Sequence, residues 1–185
     1  VSRVLNNHPS VRPETRQKVL AAVQALGYEP NLAARSLASG SSGAVGILLT
    51  AGLAHGMAST FSAIARAVRE RGDTFVLATA EGSDPESVRQ ALAHLHGHRV
   101  ATIVVLAQRA DVLTILSSQR HRGPVVAIIS GQHEFSELAT VSIDQARGAR
   151  LATEHLLDQG RSRLLHVTGD LSWQDASERL AAYQS

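Results

Sequence analysis

There is no cysteine among the 185 residues, which excludes a disulfide scaffold and any thiolate-held metal and fits a reducing compartment. No apolar run approaches the ~18–20 residues that a membrane span needs, and the first residues lack the basic-then-apolar pattern of a secretory signal. The expectation is a soluble, cytoplasmic chain with no membrane partner. Aromatic residues make up only 3% of the chain, so its core has to be assembled from Ala, Val, Leu and Ile. An apolar fraction of 44% is enough for that.

Enzymatic motifs are missing too. There is no Gly-x-x-x-x-Gly-Lys-Ser/Thr phosphate loop and no Gly-x-Ser-x-Gly nucleophile elbow. Gly40, Gly43 and Gly46 come before the first strand-like run, whereas a dinucleotide fingerprint follows one and opens a helix. His94, His96 and His98 are the tempting metal candidates. Yet they sit where a helix runs out, without an acid or thiol nearby in sequence, and positions two apart point to different helix faces. They are read as a solvated helix end. No catalytic residue, metal or cofactor is expected, and the chain is not read as an enzyme.

The net charge of +2 is unevenly placed. Residues 1–40 carry five basic side chains (Arg3, Arg12, Arg16, Lys18, Arg35) against two acids, while the rest carries 13 against 14. A basic end on a near-neutral body suits an anionic partner, although so small an excess decides little alone.

Residues 1–7 read as the end of a helix stopped by Asn-Asn-His-Pro, and Pro13 opens a second, with Val19, Val23 and Leu26 on one face and Gly27 at its end. The segment NLAARSLAS is too short to be stable alone as a helix, and the Gly/Ser linker SGSSG overlaps its end. From residue 45 the rhythm changes. Apolar runs at Val45–Leu49, Phe75–Ala78, Ile103–Leu106, Val125–Ile129 and Leu164–Val167 alternate with helical patterns on Phe61, Ile64 and Val68, on Val88, Leu92 and Leu95, and on Ala149, Ala152 and Leu156. Thr140–Ile143 reads as an extra short strand before a helix opened by Asp144. Apolar runs without polar alternation are strands covered on both faces, and strand–helix repeats demand parallel crossovers. The fold class is α/β, a doubly wound parallel sheet preceded by short helices.

Several blocks then stand in one order: Val-Ser-Arg-Val-Leu-Asn at the start, Pro-Glu-Thr-Arg, Leu-Gly-Tyr-x-Pro-Asn, and Ala-Arg-Ser-Leu. Together they resemble the lactose-repressor (LacI/GalR) family of transcriptional regulators, and VSIDQARGARLATEHLLDQG and WQDASERLAAY extend the resemblance through the body. It implies a truncated helix-turn-helix head over residues 1–30, a hinge helix and linker over 31–43, and a periplasmic-binding-protein-like effector domain. The first effector subdomain would run over 44–162 and the start of a second over 163–185. The chain would be cut at both ends, and such a piece is expected neither to recognise an operator nor to trap ligand well.

By resemblance, Arg3 reads a base in the major groove, where a guanidinium meets guanine's two acceptors. Ser2, Asn6, Tyr28 and Asn31 would hold phosphates. Two hinge helices, one from each protomer of a homodimer, would enter the minor groove, with Leu37 as an apolar wedge and Ala34 allowing close approach. The effector wall would include Ala54 and His55 after the first strand, and Trp173, Asp175 and Arg179 on a later loop and helix. A Trp face suits a sugar ring, which favours a carbohydrate effector, although an ordinary buried aromatic is the competing reading for Trp173. Met57 stands where relatives often carry Pro, and Arg147 where the lactose repressor has an acid. The resemblance implies an effector-controlled repressor of transcription. The alternative is a sugar-binding transport protein of the same fold, against which the Arg3-to-Leu37 block argues.

Overall fold

The computed structural model describes residues 1–5, 9–28, 43–50, 52, 55–131 and 138–185, without the side chains of Ser2, Leu5 and His55. The chain divides into two compact units, Val1–Ser39 and Gly40–Ser185. Asn6, Asn31, Ala34, Leu37 and Ala54, and with them the hinge segment, lie outside the described residues.

In the first unit α1 (Ser2–Leu5) contacts α2 (Pro13–Ala25). Val4 is buried, and the Arg16 guanidinium reaches its carbonyl at 3.5 Å. Pro13 opens α2 where its missing N–H costs nothing. At the other end Gly27 has φ +57°, Tyr28 N–H donates to the Val23 carbonyl and Gly27 N–H to that of Gln24. This pairing satisfies two carbonyls that the last turn would otherwise leave open. Val19 and Val23 are half-buried, but Leu26 is 81% exposed because it is the C-cap residue rather than part of the apolar face.

The second unit holds β1 (Val45–Leu49), α3 (His55–Glu70), β2 (Phe75–Thr79), α4 (Pro85–Gly97), β3 (Thr102–Leu106), α5 (Asp111–Ser117), β4 (Val125–Ile128), β5 (Ala139–Val141), α6 (Gln145–Asp158) and α7 (Gln174–Gln184). The five strands form one parallel sheet in the order β2-β1-β3-β4-β5. Right-handed crossovers put connections running in opposite directions on opposite faces, and the core divides accordingly. Leu48, Ile103, Val105 and Ala127 point to the face covered by Val88, Leu92 and Leu95 of α4 and Val112, Leu113 and Leu116 of α5. Ile47, Leu49 and Leu106 point to the other face, against Met57, Phe61 and Ile64 of α3. That two-sided cover is why the strands lack polar alternation.

Two expectations about elements need correction. The Leu164–Val167 run is not a strand: no described segment pairs with it, and Leu165 and Val167 are 89% and 85% exposed. Hydrophobicity makes a strand only beside a neighbour that takes its backbone hydrogen bonds. Conversely, the helix Asp111–Ser117 was not anticipated, because seven residues with Val112, Leu113 and Leu116 show no clear period.

Two stability predictions arise here. A Cβ added at Gly123 would collide with the Ala101 backbone carbonyl at the entrance to β3. Gly123→Ala is expected to lower unfolding free energy by about 1–3 kcal/mol; an unchanged urea midpoint would contradict this close approach. His96 and His121 lie with ring centroids 5.7 Å apart, and His96 Nε2 and His121 Nδ1 are buried without partners among the described residues. Burial first, then the charges of His121 and Arg122, hold His96 below the ordinary imidazole value. The unfolded chain thus takes up a proton at roughly pH 6.5 that the folded chain resists. This contribution to stability is complete above that pH and is lost on acidification toward the lower folded value. Thermal midpoints measured from pH 7.5 to 5.5 should fall less steeply for His96→Leu than for the parent; parallel curves would refute it.

Candidate ligand-binding cleft

In an open parallel sheet the strands' carboxyl ends and the reversal of strand order create a crevice for ligands. Here the order reverses between β1 and β3. Thr50, leaving β1, is buried and tied across to the Leu106 carbonyl of β3 through its N–H (3.3 Å) and its hydroxyl (3.2 Å). Beside this seam opens a cavity of about 350 Å³, walled by the first turns of α3 (Gly56, Met57, Thr60), the ends of β3 and β4, and the start of α7.

The ends of the strands supply polar groups on an apolar floor. Gln108 follows β3 and Ser130 follows β4, both buried, against Leu106, Ala107, Ile128 and Ile129. The Gln108 side-chain carbonyl Oε1 is buried without a hydrogen-bond partner among the described residues, a costly state that a ligand hydroxyl or N–H would relieve. Its backbone carbonyl accepts from Gln174 N–H at 3.0 Å, fixing the start of α7 against β3.

The loop before α7 is shaped by Asp170, which accepts the Ser172 N–H at 2.9 Å. Hydrogen bonds from Ser172, then the charge of Arg109, keep the Asp170 carboxyl below its ordinary value. The following turn presents Trp173, half-buried, as N-cap residue of α7. Beyond it a three-residue chain crosses from α7 to α6. Arg179 donates from Nη1 to Gln145 Oε1 at 2.7 Å, and Gln145 Nε2 donates to Asp175 Oδ2 at 3.2 Å. Among the described residues the guanidinium is held through one nitrogen, and its other N–H groups are the donors for a guest.

Of the effector residues expected from the sequence, Trp173, Asp175 and Arg179 all line this cavity. His55 opens α3, the helix whose first turns form another wall. Gln108, Ser130 and Gln145 were missed. The signal for the first two was a polar residue directly following an apolar strand run; Gln145 gave none, being 34 residues from Arg179. Among the described residues the cavity brings together one cation, one anion, neutral hydrogen-bonding groups and an aromatic side chain, a set suited to a neutral polyhydroxylated ligand. At the other end of the chain, Arg3 on α1 is exposed, and Tyr28 is 51% exposed after α2. Ser2 opens α1.

A family model described as "Bacterial regulatory proteins, lacI family" matches residues 1–31. The HTH-type transcriptional regulator GalR of Escherichia coli (strain K12) is 31% identical over 99% of this chain and 53% of its own length. The HTH-type transcriptional repressor PurR of Klebsiella pneumoniae (strain 342) is 30% identical over 99% and 54%. Among solved structures, the lac repressor dimer bound to operator and the anti-inducer ONPF superposes with a TM-score of 0.78 at 26% identity, over 99% of this chain and 55% of that one. A complex of the transcriptional regulator CelR with cellobiose gives 0.63 at 27% identity, over 99% and 55%. The chain spans about half the length of the curated relatives it matches.

Proposed function

Since the chain belongs to the LacI/GalR family of bacterial regulatory proteins, we propose that it is part of a cytoplasmic, homodimeric transcriptional repressor controlled by a carbohydrate. The observation carrying this reading is the regulator-family match over residues 1–31 on the same chain as a strand-end cleft lined by Trp173, Asp175 and Arg179. Arg3 reads an operator base; Ser2, Asn6, Tyr28 and Asn31 hold phosphates; Ala34 and Leu37 enter the minor groove from the hinge segment 31–43. Residues 1–30 serve as the end of the DNA-binding head. Residues 44–162 form the first effector subdomain, and 163–185 begin the second.

The mechanism follows from differential affinity. A sugar seated between Gln108, Trp173 and Arg179 favours one arrangement of the subdomains, and the operator favours another. Each ligand therefore shifts the equilibrium felt by the other. An operator gel-shift on the full-length protein, with a panel of neutral mono- and disaccharides, tests the reading. One sugar should change operator affinity at fixed salt; sugar binding without any operator binding would instead identify a transport protein.

A further inference from the structure

We propose that His94 and His98 form a two-imidazole chelate for a divalent transition-metal ion of the zinc, nickel or copper class, on the last turn of α4. The two residues are four apart and so share a helix face. His98 is the C-cap residue at φ −80° and ψ 1°, so the turn continues through it. The rings stand side by side with centroids 4.4 Å apart and planes tilted by 52°, and both side chains are exposed.

The hydrogen bonding prepares one donor atom. His98 Nδ1 lies 3.0 Å from the His94 backbone carbonyl oxygen. A carbonyl oxygen can only accept, so Nδ1 carries the proton and the Nε2 lone pair faces outward. This is the outer bond that commonly fixes the tautomer of a metal-bound imidazole. Paired histidines four apart on a helix are also the spacing used by helical zinc sites, and the negative end of the helix dipole favours a cation there. Zinc, nickel and copper suit imidazole, whereas calcium and magnesium prefer oxygen.

His96 belongs to a different environment: it is half-buried against His121, with its Nε2 enclosed. Taken as a sequential triplet, the histidines alternate faces and look unfit for a metal; the matched pair is the first and the third. No group of three or more His, Cys, Asp or Glu able to hold a metal occurs among the described residues. With two protein ligands, water would complete the coordination and the ion would exchange readily. The chelate lies at the amino-terminal edge of the sheet, since α4 leads into β3, whereas the sugar cleft lies at the carboxyl edge.

Calorimetric titration of nickel chloride and of zinc chloride into the untagged full-length protein tests the site. Saturable binding is expected, weakened at least about tenfold in His94→Ala and likewise in His98→Ala. It should be unchanged in His96→Ala and His121→Ala. The Gln variants at 94 and 98, with far-UV circular dichroism on all proteins, separate loss of ligand from loss of helix. Three results overturn the proposal: no saturable binding of either metal, binding that survives His98→Ala, or binding abolished by His96→Ala but not by His94→Ala.

Discussion

If the protein is the proposed dimeric repressor, operator binding by full-length Arg3→Ala is expected to weaken by about 2–6 kcal/mol, taking ~1–3 kcal/mol for each lost bidentate base contact and two half-sites per dimer. At the lower limit that is about 30-fold. Arg3 sits on a four-residue helix beside buried Val4, with its own side chain in solvent. Its removal should therefore cost binding and leave folding alone. The discriminating readout is specificity rather than affinity. A base reader relaxes preference at one operator position per half-site and hardly alters the salt dependence; a phosphate contact weakens all sequences alike and, lost from both protomers, reduces the salt slope by about two. Uniform weakening across operator variants would move Arg3 into the phosphate-holding set.

The second large effect concerns Arg179. Its guanidinium is held by Gln145, which also bridges to Asp175. Deleting Arg179 would remove the proposed ligand contact and leave Gln145 Oε1 without its donor, while the Gln145–Asp175 bond remains. Truncations of buried charged partners cost ~2–5 kcal/mol; Arg179 is half-buried, so the lower end applies. Arg179→Ala should then raise the Kd for the sugar identified by gel-shift by about 30-fold, measured calorimetrically. Arg179→Lys should recover little, because an ammonium cannot reproduce a planar fork. Operator affinity without sugar should stay near the parent value. A sugar Kd within threefold of the parent would remove Arg179 from the site.

How much of this was readable beforehand differs between elements for definite reasons. The strands β1 to β4 were legible because a sheet covered on both faces writes itself as uninterrupted apolar runs. Helix α4 was legible because Val88, Leu92 and Leu95 repeat at helical spacing and all reach the core. Helix α5 was hidden by its length, since seven residues hold too few turns to show a period. Leu164–Val167 misled for the complementary reason: the run has the composition of a strand, and strand formation depends on a partner that composition does not encode.

Sequence alone determined the α/β alternation, the absence of enzymatic motifs, and the family resemblance carried by ordered blocks from Val-Ser-Arg-Val-Leu-Asn to WQDASERLAAY. Those properties are local, or depend on order along the chain. Tertiary structure alone decided what meets at the cleft. Sheet order sets Gln108 and Ser130 on neighbouring strand ends, and the packing of α6 on α7 joins Gln145 to Arg179 across 34 positions. Helical geometry likewise turned three alternating histidines into one exposed pair and one half-buried ring. Contacts between residues distant in sequence depend on which elements become neighbours, and that is settled by packing the whole sheet.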